Sequence, residues 1–423
     1  MKNFNLFWVL FFASFLISYA EDAYVPSIDW HGYVKTDIIY DTRQVNAIRE
    51  GHFHIMPLDE KLDSNGNDLN ATPSFNILSI QTRLNGKIKG PEVSGIKTSG
   101  FIEGAFFGSA EGNINTFRLR HAFVDLDWGT GVLRVGQFWH PMFIVQCFPD
   151  VVNFNTGVPF QPFSRNPQVR LTQKFGDFSV SVTALSQRDF VSYGPAWNGT
   201  SYSSTSGSQF LRNSSIPEID LQLMYSSKNF LIGATGTYKT LRPEINSPKG
   251  YINENTISSF ATQGFMKLSF EPITIKLEGI YGQNLADLLL LGGYAAYDWD
   301  ETTGITQYTN NNIISAWGEI TFKVSDNLSL NVFSGYTKNL GFDENLKQIG
   351  SNYAVFSRAP NADNVLRVSP YFRWDIGKVQ IAGELEYTSV AYGKPNYVDD
   401  KGKVSDTHTV SNLRSLIGVY IYF

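Results

Sequence analysis

Apolar and polar residues alternate one for one along most of this chain, and helical spacing is nearly absent. Between Ile28 and Tyr40, one face reads Ile28, Trp30, Gly32, Val34, Thr36, Ile38 and Tyr40, and the other Asp29, His31, Tyr33, Lys35 and Asp37. Side chains alternate across a β-strand, so such a segment has one apolar and one polar face. The pattern returns at Ile273, Ile275 and Leu277 against Thr274, Lys276 and Glu278, and at Val379, Ile381, Leu385 and Tyr387 against Gln380, Glu384 and Glu386. Such segments fall at 28–40, 76–88, 96–107, 116–128, 131–139, 168–175, 178–187, 218–225, 230–239, 259–271, 273–282, 313–323, 328–338, 365–375, 378–388 and 408–423. That is about sixteen, an even number of the kind bacterial barrels use. The fourth segment keeps Phe117 and Leu119 on the face where Asp125 and Asp127 follow, which predicts a bulge near His121 that switches the phase.

Connection lengths alternate too. Gly90-Pro91-Glu92, Gly129-Thr130, Phe175-Gly176-Asp177, Ser226–Asn229, Glu271-Pro272, Ser325–Asn327 and Ile376-Gly377 read as tight turns. Long segments lie between them, at 41–75, 140–167, 188–217, 283–312, 339–364 and 389–407. Short turns on one side and long loops on the other mark an antiparallel transmembrane barrel, because a sheet in lipid must close to satisfy its edge groups. The fold class expected is therefore all-β, a transmembrane antiparallel β-barrel of about 16 strands.

The chain ends agree with export. Lys2, an apolar run from Phe4 to Tyr19 and the small residues of Ser18-Tyr19-Ala20 read as a signal peptide over residues 1–20, leaving 21–423 as the barrel. The final strand alternates and ends in Phe423, which reads as an address for the barrel-assembly machinery. The localisation expected is the bacterial outer membrane, with outer-membrane lipid as a partner. After the leader, the longest apolar run is Leu288 to Leu291, far short of the ~20 residues a spanning helix needs. A net charge of -5 excludes a strongly basic nucleic-acid surface, and one cysteine, Cys147, excludes a disulfide framework.

With the mature N-terminus in the periplasm, the third external loop spans 140–167. It is rich in aromatic residues and proline, with Phe143, Phe148, Pro149, Phe160 and Phe163, more than a solvated loop requires. It is expected to fold inward as a constriction, with His140, Phe143, Asp150, Phe160 and Arg165 as its candidate contacts. The wall around it carries Arg83, Lys87, Arg118, Arg120, Arg134, Arg170 and Lys174 on polar faces of neighbouring strands. Guanidinium groups along a narrow bore concentrate anions and offer forked donors to carboxylates, so small anionic solutes are the expected cargo. Pairing of these arginines with Glu103, Asp125 and Asp127 is the competing arrangement.

Phe117-Arg118-Leu119-Arg120-His121-Ala122-Phe123, followed by Val135-Gly136-Gln137-Phe138-Trp139 and Pro167-Gln168-Val169-Arg170, resembles the corresponding strands of DcaP-like porins. The match covers mainly residues 116–175. The resemblance implies a trimeric sixteen-stranded channel for small organic acids, dicarboxylates included, and a more distant kinship with phosphate-selective porins. Some members carry an N-terminal coiled coil; here only about seven residues separate Ala20 from the first strand, so any assembly role of that coil is not carried over. The outward Gly32, Thr36, Thr98, Gly100 and Gly104 point to the first strands as a homotrimer interface.

No enzyme is expected. The six histidines, His31, His52, His54, His121, His140 and His408, include none in a nucleophile-elbow motif, and Cys147 reads as a small packed residue. No cofactor or metal is expected. His52 and His54 beside Asp59 and Glu60, and Asp63-Ser64-Asn65-Gly66-Asn67-Asp68, read as solvated loop residues, the latter lacking the glycine and glutamate positions of a calcium loop. The alternative to a passive channel is a non-conducting structural or adhesive barrel.

Overall fold

The computed structural model describes residues 27–423. The expected signal peptide at 1–20 lies outside the described residues. Sixteen antiparallel strands close into one barrel. They are β1 (Ser27–Asp41), β2 (Ser74–Leu78 continued by Arg83–Val93), β3 (Ile96–Ala105), β4 (Arg118–Asp127), β5 (Gly131–Trp139), β6 (Arg165–Phe175), β7 (Phe178–Leu185) and β8 (Glu218–Ser226). Then follow β9 (Phe230–Leu241), β10 (Ile257–Phe270), β11 (Ile273–Gln283), β12 (Thr306–Ser325), β13 (Leu328–Phe342), β14 (Ala362–Ile376), β15 (Val379–Asn396) and β16 (Lys403–Tyr422).

Each strand pairs with its sequence neighbours, and β1 closes on β16 with Tyr33 opposite Tyr422 and Asp41 opposite Arg414. Phe423 exchanges backbone hydrogen bonds with Gly32, at 3.1 and 3.3 Å, and seals the seam. No edge is left to lipid, which membrane depth requires. The outward faces are apolar and exposed, Val34, Val124, Leu171 and Ile417 among them, while inward polar residues such as Lys35, Asp37, Glu319 and Arg414 are buried.

Two connections differ from the sequence reading. The first tight turn is Ser94-Gly95, both at positive φ (53° and 80°), as a two-residue hairpin demands. Gly90-Pro91 lies within β2, where the register with β3 slips between Lys89 and Glu92, and a bulge is where a strand tolerates proline. Segment 389–407 is not a long loop: β15 and β16 pair as far as Asn396 and Lys403. A strand of 20 residues such as β16 is about twice what crossing the hydrocarbon needs, so its upper half is a hairpin standing above the membrane.

Candidate functional site

Segments of the external loops fill the bore, tied to inward side chains of the wall. Residues 140–164 cross it. At one end the His140 ring is 2.9 Å from Glu218 on β8. Midway, Lys276 of β11 donates to Phe148 O at 2.9 Å, and Asp150 N donates to Glu319 of β12 at 2.8 Å. Further on, Asn153 N donates to Glu384 of β15 at 2.8 Å, and Arg367 of β14 donates to Val158 O at 2.6 Å. Phe160 is buried against Phe333, with the Arg367 guanidinium over its ring. Cys147 is buried, and its thiol donates to Met266 O at 3.4 Å.

Above this loop lies a hairpin of the first external loop, Val45–Ile48 with Phe53–Pro57. It is anchored by His52 to Asp37 at 2.8 Å, by His54 to Glu386, and by the Tyr392 hydroxyl donating to Pro57 O at 2.9 Å. His52 and His54 are thus drawn to the wall and away from Asp59, whose carboxylate faces His408 at 2.7 Å. The third filling segment is 286–291, where Asp287 meets Lys239 and Gln187, and Leu288 O accepts from Phe163 N at 2.9 Å. Leu288 to Leu291 are buried here, so the chain's longest later apolar run packs inside the barrel.

The expected phase switch is present. Glu103 pairs with His121 but Gly104 with Leu119, so Arg120 is the extra residue of a bulge, and Arg120 and His121 are both buried inside. Arg120 donates to Glu103 through Nε at 2.6 Å, while its buried Nη1 and Nη2 have no hydrogen-bond partner among the described residues. Arg165 opens β6 and so lies beyond the end of the loop; it binds Asp189 at 2.7 Å, and Arg118 reaches the same carboxylate at 3.3 Å. Burial opposes ionisation of Asp189, but Arg165 and Arg118 hold its carboxyl below the usual range. Arg83 lies over the Tyr33 and Phe154 rings, at 5.5 and 5.8 Å. Four guanidinium groups, of Arg83, Arg118, Arg120 and Arg165, therefore share two carboxylates. Aromatic faces of Trp139, Phe154 and Phe163 supply the remaining contacts.

The other candidate cations are elsewhere. Arg134 is held bidentately by Asp125, at 2.8 and 2.7 Å, and stacks between Phe123 and Phe138. Arg170 donates to Trp139 O at 2.7 Å. Lys87 and Lys174 are exposed on the periplasmic halves of β2 and β6, apart from the cluster. Asp150 is half-exposed and paired with Lys276, and Phe143 stacks on Trp139 with ring centroids 3.8 Å apart.

Three groups missed by sequence reasoning matter here. Asp189, in the loop after β7, carries no periodic signal. Glu218 and Asp220 were unremarkable strand residues, yet with His140 they form a buried triad of possible metal-ligand atoms. His140 Nδ1 accepts from Met142 N at 3.1 Å, which leaves the ring proton on Nε2, facing Glu218. The ring is thereby an anchor for the loop, with its metal-binding lone pair already protonated.

A closed sixteen-stranded barrel with an apolar girdle and loops folded into a charged bore is the architecture of outer-membrane porins, and it places this chain in the bacterial outer membrane. Solved structures match nearly the whole chain. The outer membrane channel DcaP of Acinetobacter baumannii superimposes with a TM-score of 0.66 at 14% identity, covering 96% of this chain and 100% of that one. The anion-selective porin from Comamonas acidovorans gives 0.55 at 11%, covering 94% and 100%. The trimer form of OmpT of Vibrio cholerae gives 0.55 at 11%, covering 95% and 100%. No family model matches the chain, and no curated protein matches it by sequence. The chain is similar to these porins in fold.

Proposed function

We propose that this chain is a passive diffusion channel that favours small organic anions, with residues 140–164 as its constriction. The observation that carries the reading is the guanidinium surplus of Arg83, Arg118, Arg120 and Arg165 over the two carboxylates beside them, Glu103 and Asp189. In a confined, low-dielectric bore such a surplus attracts anions strongly and offers carboxylates forked donors. The similarity to an anion-selective porin adds support. The exported precursor would lose residues 1–20, use Phe423 as its assembly signal, and assemble as a homotrimer, as one neighbour's trimer form suggests by analogy.

The test is the reversal potential of the purified protein in a planar bilayer under a KCl gradient. Chloride selectivity that falls in R83Q and R120Q is the expected result; cation selectivity would overturn the reading. The filled bore favours one alternative, a non-conducting structural or adhesive barrel, and folded protein that passes no current would select it.

A further inference from the structure

Beside the constriction loop lies a cavity of about 360 Å³, rich in aromatic residues, with Gln81, Asn153 and Thr156 as further polar lining. On the β1–β16 seam stand Tyr33, Tyr420 and Tyr422, with centroids 5.7 to 6.0 Å apart. Trp139, Phe143 and Phe163 line it from the loop side, with Phe163 edge-on to Trp139 at 5.0 Å. Two guanidinium groups reach the cavity. Arg373 is already used: it donates to Asp150 O, Val151 O and Gln380. The Arg83 side chain shares the charge of Glu103 but donates no hydrogen bond among the described residues, and its guanidinium rests over the Tyr33 ring. The one acidic lining residue, Asp150, is engaged by Lys276.

This set of groups selects a shape. One free fork binds one carboxylate. Ring faces and edges on both sides favour a flat π system over a saturated chain of equal size. A small dicarboxylate would need a second free donor at its far end, and Arg373 is committed to the loop backbone. Resting on the anion-channel reading above, we infer that the cavity is a binding site for aromatic carboxylates, with Arg83 taking the carboxylate and the tyrosine and Trp139 walls taking the ring.

The experiment uses the full chain in planar bilayers, with potassium benzoate and potassium cyclohexanecarboxylate as probes at pH 7.5. The two anions share charge and approximate size and differ in the π face. Benzoate should block chloride current at a concentration about three- to tenfold lower than its saturated counterpart, the range a stacking contact provides. R83Q should weaken block by both anions, whereas Y422L and W139L should weaken block by benzoate alone. Should W139L fail to fold, Y422L on the opposite wall still decides. Equal block by the two anions in a chloride-selective wild type would overturn this inference and leave the channel reading standing. A wild type without chloride selectivity would overturn both.

Discussion

At the scale of single residues, the bore shows how burial and pairing decide which charges stay available. Arg134 gives Nε and Nη2 to Asp125, whereas Arg120 spends only its Nε on Glu103. The charge of Arg134 is therefore offset by its own carboxylate, and that of Arg120 is shared with its arginine neighbours. The alternation made Arg83, Arg118 and Arg120 legible as inward residues, and the clash of phase at Asp125 made the bulge legible. Asp189 was not legible, because a loop carboxylate has no period to place it beside Arg165. The histidines were misplaced for the same reason: His52 and His54 read as solvated loop residues, while packing buries them against Asp37 and Glu386. Cys147 gives a direct check. Burial pushes its thiol up to about 12, with Glu278 acting in the same direction, so thiolate is scarce at neutral pH. Folded protein at pH 7.5 should resist maleimide labelling, and denatured protein should label fully. Rapid labelling of the folded barrel would mean that the loop leaves the bore.

At the scale of elements, strands were readable and loops only in outline. The sixteen predicted segments each correspond to an observed strand, but the rims were read short, because polar residues above the membrane hide the pairing of β12, β15 and β16. The small outward residues turn out to have partners within the chain. A Cβ on Gly104 would meet the Phe117 ring at 2.2 Å, and one on Gly32 would meet Arg83 O at 2.3 Å. G104V should therefore slow or block barrel folding, read as loss of the heat-modifiable band on a gel; normal folding would show that Phe117 can swing away. The hairpin of the first loop offers a pH test. Burial, aided by Lys35 and Arg414, lowers the pKa of His52 despite Asp37, and burial likewise lowers that of His54 despite Glu386. The docked hairpin therefore binds fewer protons than the released one. Docking is at full strength above the ordinary histidine value of about 6.5 and weakens as pH falls below it. Protection of amides 45–57, taken as exchange relative to the intrinsic rate at each pH, should fall between pH 7 and pH 5. The double variant H52Q/H54Q should lose that fall, and pH-independent protection in the wild type would remove the two histidines as the cause.

At the scale of the whole molecule, wall and filling are separable in a way that can be tested. The wall is closed by strand hydrogen bonds all round, including the β1–β16 seam, and needs no loop to complete it. The first-loop hairpin binds wall groups that already hold partners of their own: Asp37 has Lys35 at 3.0 Å, and Glu386 has Arg367 at 3.4 Å. Its removal therefore strands no buried charge, the event that makes loss of one ion-pair partner costly. The constriction loop is different, because Arg373 and Glu384 both bind its backbone, and among the described residues Arg373 has only Gln380 besides as a hydrogen-bond partner. Replacing residues 45–57 by a short Gly-Ser link should thus leave a folded, heat-modifiable barrel with higher single-channel conductance. Deleting 143–160 should instead reduce the yield of folded barrel. If the hairpin deletion folds and conducts as the wild type does, the hairpin lies off the route of passage. If it does not fold, the wall depends on its contents, and the bore of this protein is better described as a core.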